Sequence, residues 1–193
     1  MQKWKRCLAG LLSVLCVLPL CANAEYLGAV PDDSVYMVET QRRTCTLIAA
    51  AMMVREFARQ HGYELEELAE SDFRREAWFD GLTWDFTINT INVQCVEGIR
   101  EAEDKTEYLK CFLKYHPEGV VIYDANQPHA IWLNGYDETT GVFYCADTIS
   151  SRGMKTIPLV DSILRGDTQQ AILDSLDRIW YVTGYRGIEP FAG

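Results

Sequence analysis

The chain lacks the features that define several protein classes. It carries 18 lysine and arginine residues against 28 acidic ones, a net charge of −10, so it lacks the basic surface of an electrostatic nucleic-acid binder. Apolar residues make up 48% and charged residues 24%, which argues against a disordered chain and a multi-pass membrane protein. There is no internal repeat, low-complexity tract or linker, so 193 residues suit one globular domain.

A long apolar run occurs only once, near the N-terminus. Three basic residues stand within the first six positions, an apolar run covers residues 7–20, and small residues follow at 22–24. Basic start, short apolar run and small-residue end are typical of a secretory signal peptide, and the run is too short for a membrane span. We therefore expect residues 1–24 to be cleaved and the protein to be secreted or extracytoplasmic, with no stable membrane insertion afterwards.

The mature chain is then expected to be one domain, residues 25–193. Its formal charge falls to −13, because the first 24 residues hold three basic residues and no acidic one. Four cysteines stay in it, too few for a disulfide scaffold and without the C-x-x-C spacing of many zinc sites: Cys45, Cys95, Cys111 and Cys145. A disulfide between Cys95 and Cys111 stays open, because sequence does not show whether their Cβ atoms meet.

The order of secondary structure predicts the fold class. Apolar residues three or four positions apart predict helices over 44–60, 64–76, 105–116 and 169–176. Alternating or β-branched apolar runs predict strands over 84–95, 119–123, 130–133, 142–145 and 179–183, after an irregular lead-in over 25–40. Helices first and antiparallel strands later predict an α+β fold.

Cys45 is the first candidate for a reactive side chain. It stands at the start of the helix with the strongest apolar spacing, where unpaired backbone N–H groups and the helix dipole favour an anion. A thiolate held there is a nucleophile. A cysteine beside an apolar helix is more often a small buried residue, so this assignment depends on the neighbours that the fold supplies.

His129 and Asp147 are candidates because of where they stand on two predicted strands. His129 precedes one strand and Asp147 follows the next, and a hairpin between the strands would bring the two side chains together. A carboxylate beside an imidazole holds it in one tautomer, as nucleophilic catalysis requires. The other two histidines, His61 and His116, lie at a helix end and in a turn, and we assign them structural roles.

Three segments together resemble a known enzyme family. They are QRRTCTLIAAAMM over residues 41–53, HAIWLNGYD over 129–137 and FYCAD over 143–147. This pattern resembles the papain-like cysteine peptidases that process bacteriocin leaders, the double-glycine peptidase type. The resemblance implies a papain-like fold, in which an N-terminal helix carrying the cysteine packs on an antiparallel sheet carrying the histidine and the aspartate.

The resemblance also implies a role for each matched residue. Cys45 would be the nucleophile, His129 the general base and acid, and Asp147 the residue that orients the histidine. Gln41 would donate to the oxyanion together with the backbone N–H of Cys45, although it stands closer to Cys45 than the family's spacing of roughly six residues. Thr46 and Thr148 replace the family's glycine and proline.

The expected function is that of a secreted cysteine peptidase, which cleaves peptide bonds through a thioester and needs no metal or organic cofactor. Its partner would be a peptide or protein substrate, not nucleic acid. Two alternatives stay open: a cell-wall peptide amidohydrolase of the same superfamily, and a non-catalytic peptide-binding or inhibitory domain. The substituted positions 46 and 148 keep the second alternative open.

Overall fold

The computed structural model describes residues 26–40, 43–63, 70–77, 85–88, 90–149 and 154–185. In these ranges the α-helices are α1 (Cys45–Gln60), α2 (Glu70–Ala77), α3 (Lys105–Tyr115) and α4 (Gln169–Ser175). The strands are β1 (Tyr26–Gly28), β2 (Phe86–Ile88), β3 (Ile91–Val96), β4 (Val120–Asp124), β5 (His129–Asp137), β6 (Val142–Ala146), β7 (Ile157–Pro158) and β8 (Arg178–Tyr185). The predicted α+β class is confirmed. The predicted signal peptide lies outside the described residues.

The eight strands form one sheet in which every pairing is antiparallel. Its order is β2-β3-β8-β4-β5-β6-β7, and β1 pairs with β5. The last strand of the described residues, β8, therefore lies in the middle of the sheet, between β3 and β4. No helix in the described ranges is long and apolar enough to cross a membrane.

Helices cover both faces of the sheet and produce two separate cores. Alternate residues of β5 point to opposite faces: Trp132 packs in the core that contains α1, and Leu133 packs in the core that contains α3 and α4. The α1 core also holds the candidate residue Cys45, which is the first residue of α1. The helix itself is buried along most of its length and ends before Gly62, whose φ of +71° suits glycine.

Two predicted elements differ from the structure. Residues 84–95 do not form one strand, because the chain reverses between β2 and β3, which pair with each other from Phe86 opposite Val93. Thr90, with φ of +70°, lies at this reversal. The lead-in is not wholly irregular either, since β1 pairs with the far half of β5. Helix α2 begins at Glu70, and residues 64–69 lie outside the described ranges.

Candidate active site

Cys45 is the first residue of α1 and lies against the sheet. It is 8% exposed, and Thr44 before it makes no side-chain cap for the helix. The first backbone N–H groups of a helix have no partner within the helix, and they carry the positive end of its dipole. The thiol therefore lies beside the backbone N–H groups at the positive end of the α1 dipole.

His129 and Asp147 lie side by side at the same end of two paired strands. His129 begins β5, and Asp147 directly follows β6, which pairs with β5 through Trp132 opposite Ala146. His129 Nε2 donates a hydrogen bond to Asp147 Oδ1 at 3.0 Å. The proximity that the hairpin pattern predicts is thus present in the fold, while the catalytic roles of the two residues stay predictions.

Asp147 is held in place from several directions. Its side chain has no exposed surface, and besides His129 it accepts backbone N–H bonds from Ile163 at 2.8 Å and Ile149 at 3.4 Å. Burial alone would raise the pKa of Asp147, but the hydrogen bonds from His129 and the two backbone groups outweigh burial and lower it. The side chain is therefore a fixed, ionised acceptor for the imidazole.

The pKa of His129 reflects its two neighbours. Burial alone would lower it, but the hydrogen bonds to Asp147 and Cys45, together with their charges, raise it from 6.5 to about 9. The difference corresponds to about 3 kcal/mol in favour of the protonated ring. At neutral pH the imidazole is thus held as a cation between sulfur and carboxylate.

Glu39 completes the cluster around the thiol. A carboxylate oxygen of Glu39, the sulfur of Cys45 and a ring nitrogen of His129 all lie within 4.8 Å of one another. Thr148 fixes this carboxylate, because its hydroxyl donates to Glu39 Oε1 at 2.8 Å and its carbonyl accepts the Glu39 N–H at 2.8 Å. Carboxylate, thiol and imidazole are also the side chains that coordinate zinc.

Sequence reasoning missed Glu39 and selected Gln41 instead. The signal that would have found Glu39 is its position six residues before Cys45, which is the spacing of the family's oxyanion glutamine. An ionised carboxylate has no proton to donate, so Glu39 in that form does not replace the glutamine as an oxyanion donor. Gln41 lies outside the described residues, and its predicted role stays a prediction.

The remaining cysteines lie away from this cluster. Cys45, Cys95 and Cys111 are free thiols, so the structure has no Cys95–Cys111 disulfide. Cys145 is buried in the core on the opposite face of the sheet from α1, and therefore belongs to the packing and not to the site. Burial raises the pKa of the Cys95 thiol to about 12, with Asp85 and Glu97 adding to it and Arg178 opposing it.

The other two histidines lie in local structural contacts. His61 bonds the carbonyl of Phe57 through Nδ1 at 2.8 Å and stacks on the Phe57 ring. His116 lies 3.3 Å from the carboxylate of Glu118 and packs beside Tyr181. These settings agree with the structural roles expected for both.

A separate cavity of about 480 Å³ lies on another part of the sheet. Its lining comes from β2, β3, β8 and adjacent residues, among them Asp85, Asn92 and Thr183. Neither the thiol nor the imidazole reaches it. The candidate active site is therefore the largely buried cluster where α1 meets β5, and not this cavity.

In comparisons with known proteins, the chain matches no family model, no curated protein and no solved structure at a significant level. The functional interpretation therefore rests on the geometry of the site and on the residue pattern.

Proposed function

We propose that this protein is an exported cysteine peptidase of papain-like fold, which cleaves peptide bonds through a thioester on Cys45. One observation carries the proposal: Cys45 sulfur lies within 4.8 Å of a ring nitrogen of His129, whose Nε2 is hydrogen-bonded to buried Asp147. Nucleophilic acyl transfer requires this arrangement, in which the nucleophile contacts a base and the base contacts a carboxylate that orients it.

The first half of the reaction forms the thioester. Because Nε2 of His129 contacts Asp147, Nδ1 is the nitrogen that faces Cys45 and holds the proton taken from its thiol. The thiolate attacks the amide carbonyl carbon and forms a C–S bond, and the carbonyl oxygen becomes an oxyanion. The C–N bond then breaks as His129 returns its proton to the leaving amine.

The second half releases the acyl group. A water molecule gives a proton to His129 and attacks the thioester carbonyl, and the C–S bond breaks to leave the sulfur of Cys45 beside the imidazolium. Backbone N–H groups at the start of α1 are the donors for the oxyanion in both halves, since the helix leaves them unpaired. Gln41 is the predicted side-chain donor.

Peptide cleavage tests the proposal. The purified protein, in EDTA, is incubated with a mixture of peptides and with peptidoglycan, beside Cys45→Ala and the matched control Cys111→Ser, which removes an exposed thiol. We expect cleavage of peptides that Cys45→Ala abolishes and Cys111→Ser retains. Release of stem peptides from peptidoglycan alone would instead favour the cell-wall alternative, and binding without any cleavage would favour a non-catalytic domain.

Export is part of the same proposal. The protein recovered from outside the cytoplasm is expected to begin at Glu25, which N-terminal sequencing determines directly. A mature protein that retains residues 1–24 would contradict it.

A further inference from the structure

Three side chains around the thiol form a set of metal ligands. We propose that Glu39, Cys45 and His129 bind a zinc ion, and that the bound ion blocks the thiol. The three ligand atoms are a carboxylate oxygen, a sulfur and an imidazole nitrogen, all within 4.8 Å of one another. Zinc accepts each of these ligand types, and a thiolate in the set favours zinc over magnesium or calcium.

The distances suit a tetrahedral ion after a small adjustment. Zinc bonds of about 2.3 Å to sulfur and about 2.0–2.2 Å to nitrogen and oxygen place tetrahedral ligands about 3.4–3.6 Å apart. Closing the cluster from its present limit of 4.8 Å therefore needs about 1 Å of movement, which side-chain rotation supplies. The ion binds a thiolate and a neutral imidazole, so the protons they carry are released to solvent.

Two of the ligands already have the outer partners that metal sites use. The His129 ring donates through Nε2 to Asp147 at 3.0 Å, which leaves its other nitrogen for the ion, as in carboxylate–histidine–zinc triads. The Glu39 carboxylate accepts from Thr148 Oγ1 at 2.8 Å, which holds one oxygen and fixes the direction of the other. Thr148 thus orients the carboxylate of Glu39 as a ligand.

Each of the three ligands keeps some solvent-exposed surface. Cys45 is 8% exposed, the His129 side chain is 13% exposed, and Glu39 is partly exposed. Three protein ligands leave a fourth position for water. The inhibitory consequence rests on the proposed peptidase function, because only then is the sulfur a nucleophile; binding of the ion does not depend on it.

Zinc binding to the purified full chain tests the proposal. Affinity is measured by competition with a chromogenic chelator, and Co²⁺ is used as a spectroscopic substitute. We expect one ion per chain and a thiolate-to-cobalt charge-transfer band that Cys45→Ser abolishes. Glu39→Gln should weaken zinc by at least about tenfold and Thr148→Val by about tenfold, since second-shell partners alone are worth 10–100-fold. Cys111→Ser, an exposed thiol elsewhere, should change neither signal.

Protection of the thiol gives a second measurement that needs no variant. The wild-type protein is alkylated with iodoacetamide with and without Zn²⁺, and each cysteine is followed by mass spectrometry. Zinc should slow the labelling of Cys45 by at least about tenfold and leave Cys111 unchanged. Equal labelling of Cys45 in both conditions, or equal zinc affinity in wild type and Glu39→Gln, would overturn the proposal.

The two proposals fail in different ways. In EDTA the wild-type protein holds no zinc, so its rate of Cys45 alkylation reports on the thiol alone, whereas the loss of zinc affinity in Thr148→Val reports on the metal site alone. If Thr148→Val binds zinc as tightly as wild type while Cys45 of the wild-type protein is alkylated rapidly in EDTA, the proposed metal site is contradicted and the proposed peptidase is not. If the protein binds zinc as expected but cleaves no peptide in EDTA, the proposed peptidase is contradicted and the proposed metal site is not.

Discussion

Asp147→Asn tests how the imidazole is held. Asp147 accepts three hydrogen bonds with its two oxygens, from His129 Nε2, Ile163 N and Ile149 N. Asparagine offers one accepting oxygen and an NH₂ group that only donates. If the NH₂ group takes the place of Oδ1, both His129 Nε2 and Ile149 N lose their acceptor; if it takes the place of Oδ2, Ile163 N does. In both orientations the imidazole loses the negative charge beside it.

The size of the effect follows from the bond that is lost. A hydrogen bond to a charged group contributes about 1.5–3 kcal/mol. Because the imidazolium of His129 loses its charged acceptor in either orientation, the rate of reaction at Cys45 should decrease by about 10–150-fold. The buried N–H left without an acceptor should also reduce the free energy of unfolding by about 1–3 kcal/mol.

The assay is the rate of Cys45 alkylation by iodoacetamide in EDTA, measured well below the unfolding transition of each variant. Asp124→Asn is the matched control: Asp124 is also buried and accepts from Asn126 N and Gln127 Nε2, but not from His129. We expect the control to lose stability and to keep its alkylation rate. A folded Asp147→Asn protein that alkylates at the wild-type rate would refute the role of Asp147.

Three further predictions concern stability and thiol chemistry. Gly119→Ala should cost at least about 2 kcal/mol of unfolding free energy, because φ is +84° and a Cβ would lie 2.6 Å from Trp132 Nε1. Arg59→Met should lower the free energy of unfolding by about 1–3 kcal/mol, because the fully buried carboxylate of Glu56 loses two charged N–H donors. The partial exposure of Arg59 limits the size of this effect. Cys95, with its pKa near 12, should hold about 1000-fold less thiolate at pH 8 than a thiol with the ordinary value of 9.0, and should alkylate correspondingly slowly.

The two stability predictions each have a matched control. Gly62 also has a positive φ of +71°, but no atom lies within 4 Å of an added Cβ, so Gly62→Ala should cost about 1–2 kcal/mol. Arg75 pairs with Asp72 while 66% exposed, so Arg75→Met should cost less than about 1 kcal/mol. Chemical denaturation measures all four values. Equal costs within either pair, or rapid alkylation of Cys95 at pH 8, would contradict the reasoning.

Local patterns predict the elements that carry the candidate site. The apolar spacing after Cys45 predicts α1 almost to its last residue, because a helix that is buried on most sides repeats its contacts every turn. The β5–β6 hairpin is predicted for a similar reason, since its strands are adjacent in sequence and joined by a short turn at Asp137–Gly141. Both elements depend on neighbours along the chain.

Features that depend on distant residues are not predictable in this way. The position of β8 between β3 and β4 is set by pairing across some 50 to 90 residues, which no local pattern encodes. The contact between Glu39 and Thr148 joins residues 109 positions apart. Local patterns therefore do not show that the carboxylate of Glu39 lies at the thiol, and the predicted role of Gln41, which lies outside the described residues, stays a prediction.

The central claim is that Cys45 is an activated nucleophile, and the relative alkylation rates of the cysteines test it most directly. The native protein in EDTA is treated with iodoacetamide at pH 7, and each thiol is followed by mass spectrometry in wild type and in His129→Ala. The geometry predicts that Cys45, only 8% exposed, reacts faster than exposed Cys111 and loses this advantage without His129. A Cys45 that reacts more slowly than Cys111, or at the same rate with and without His129, would contradict the claim.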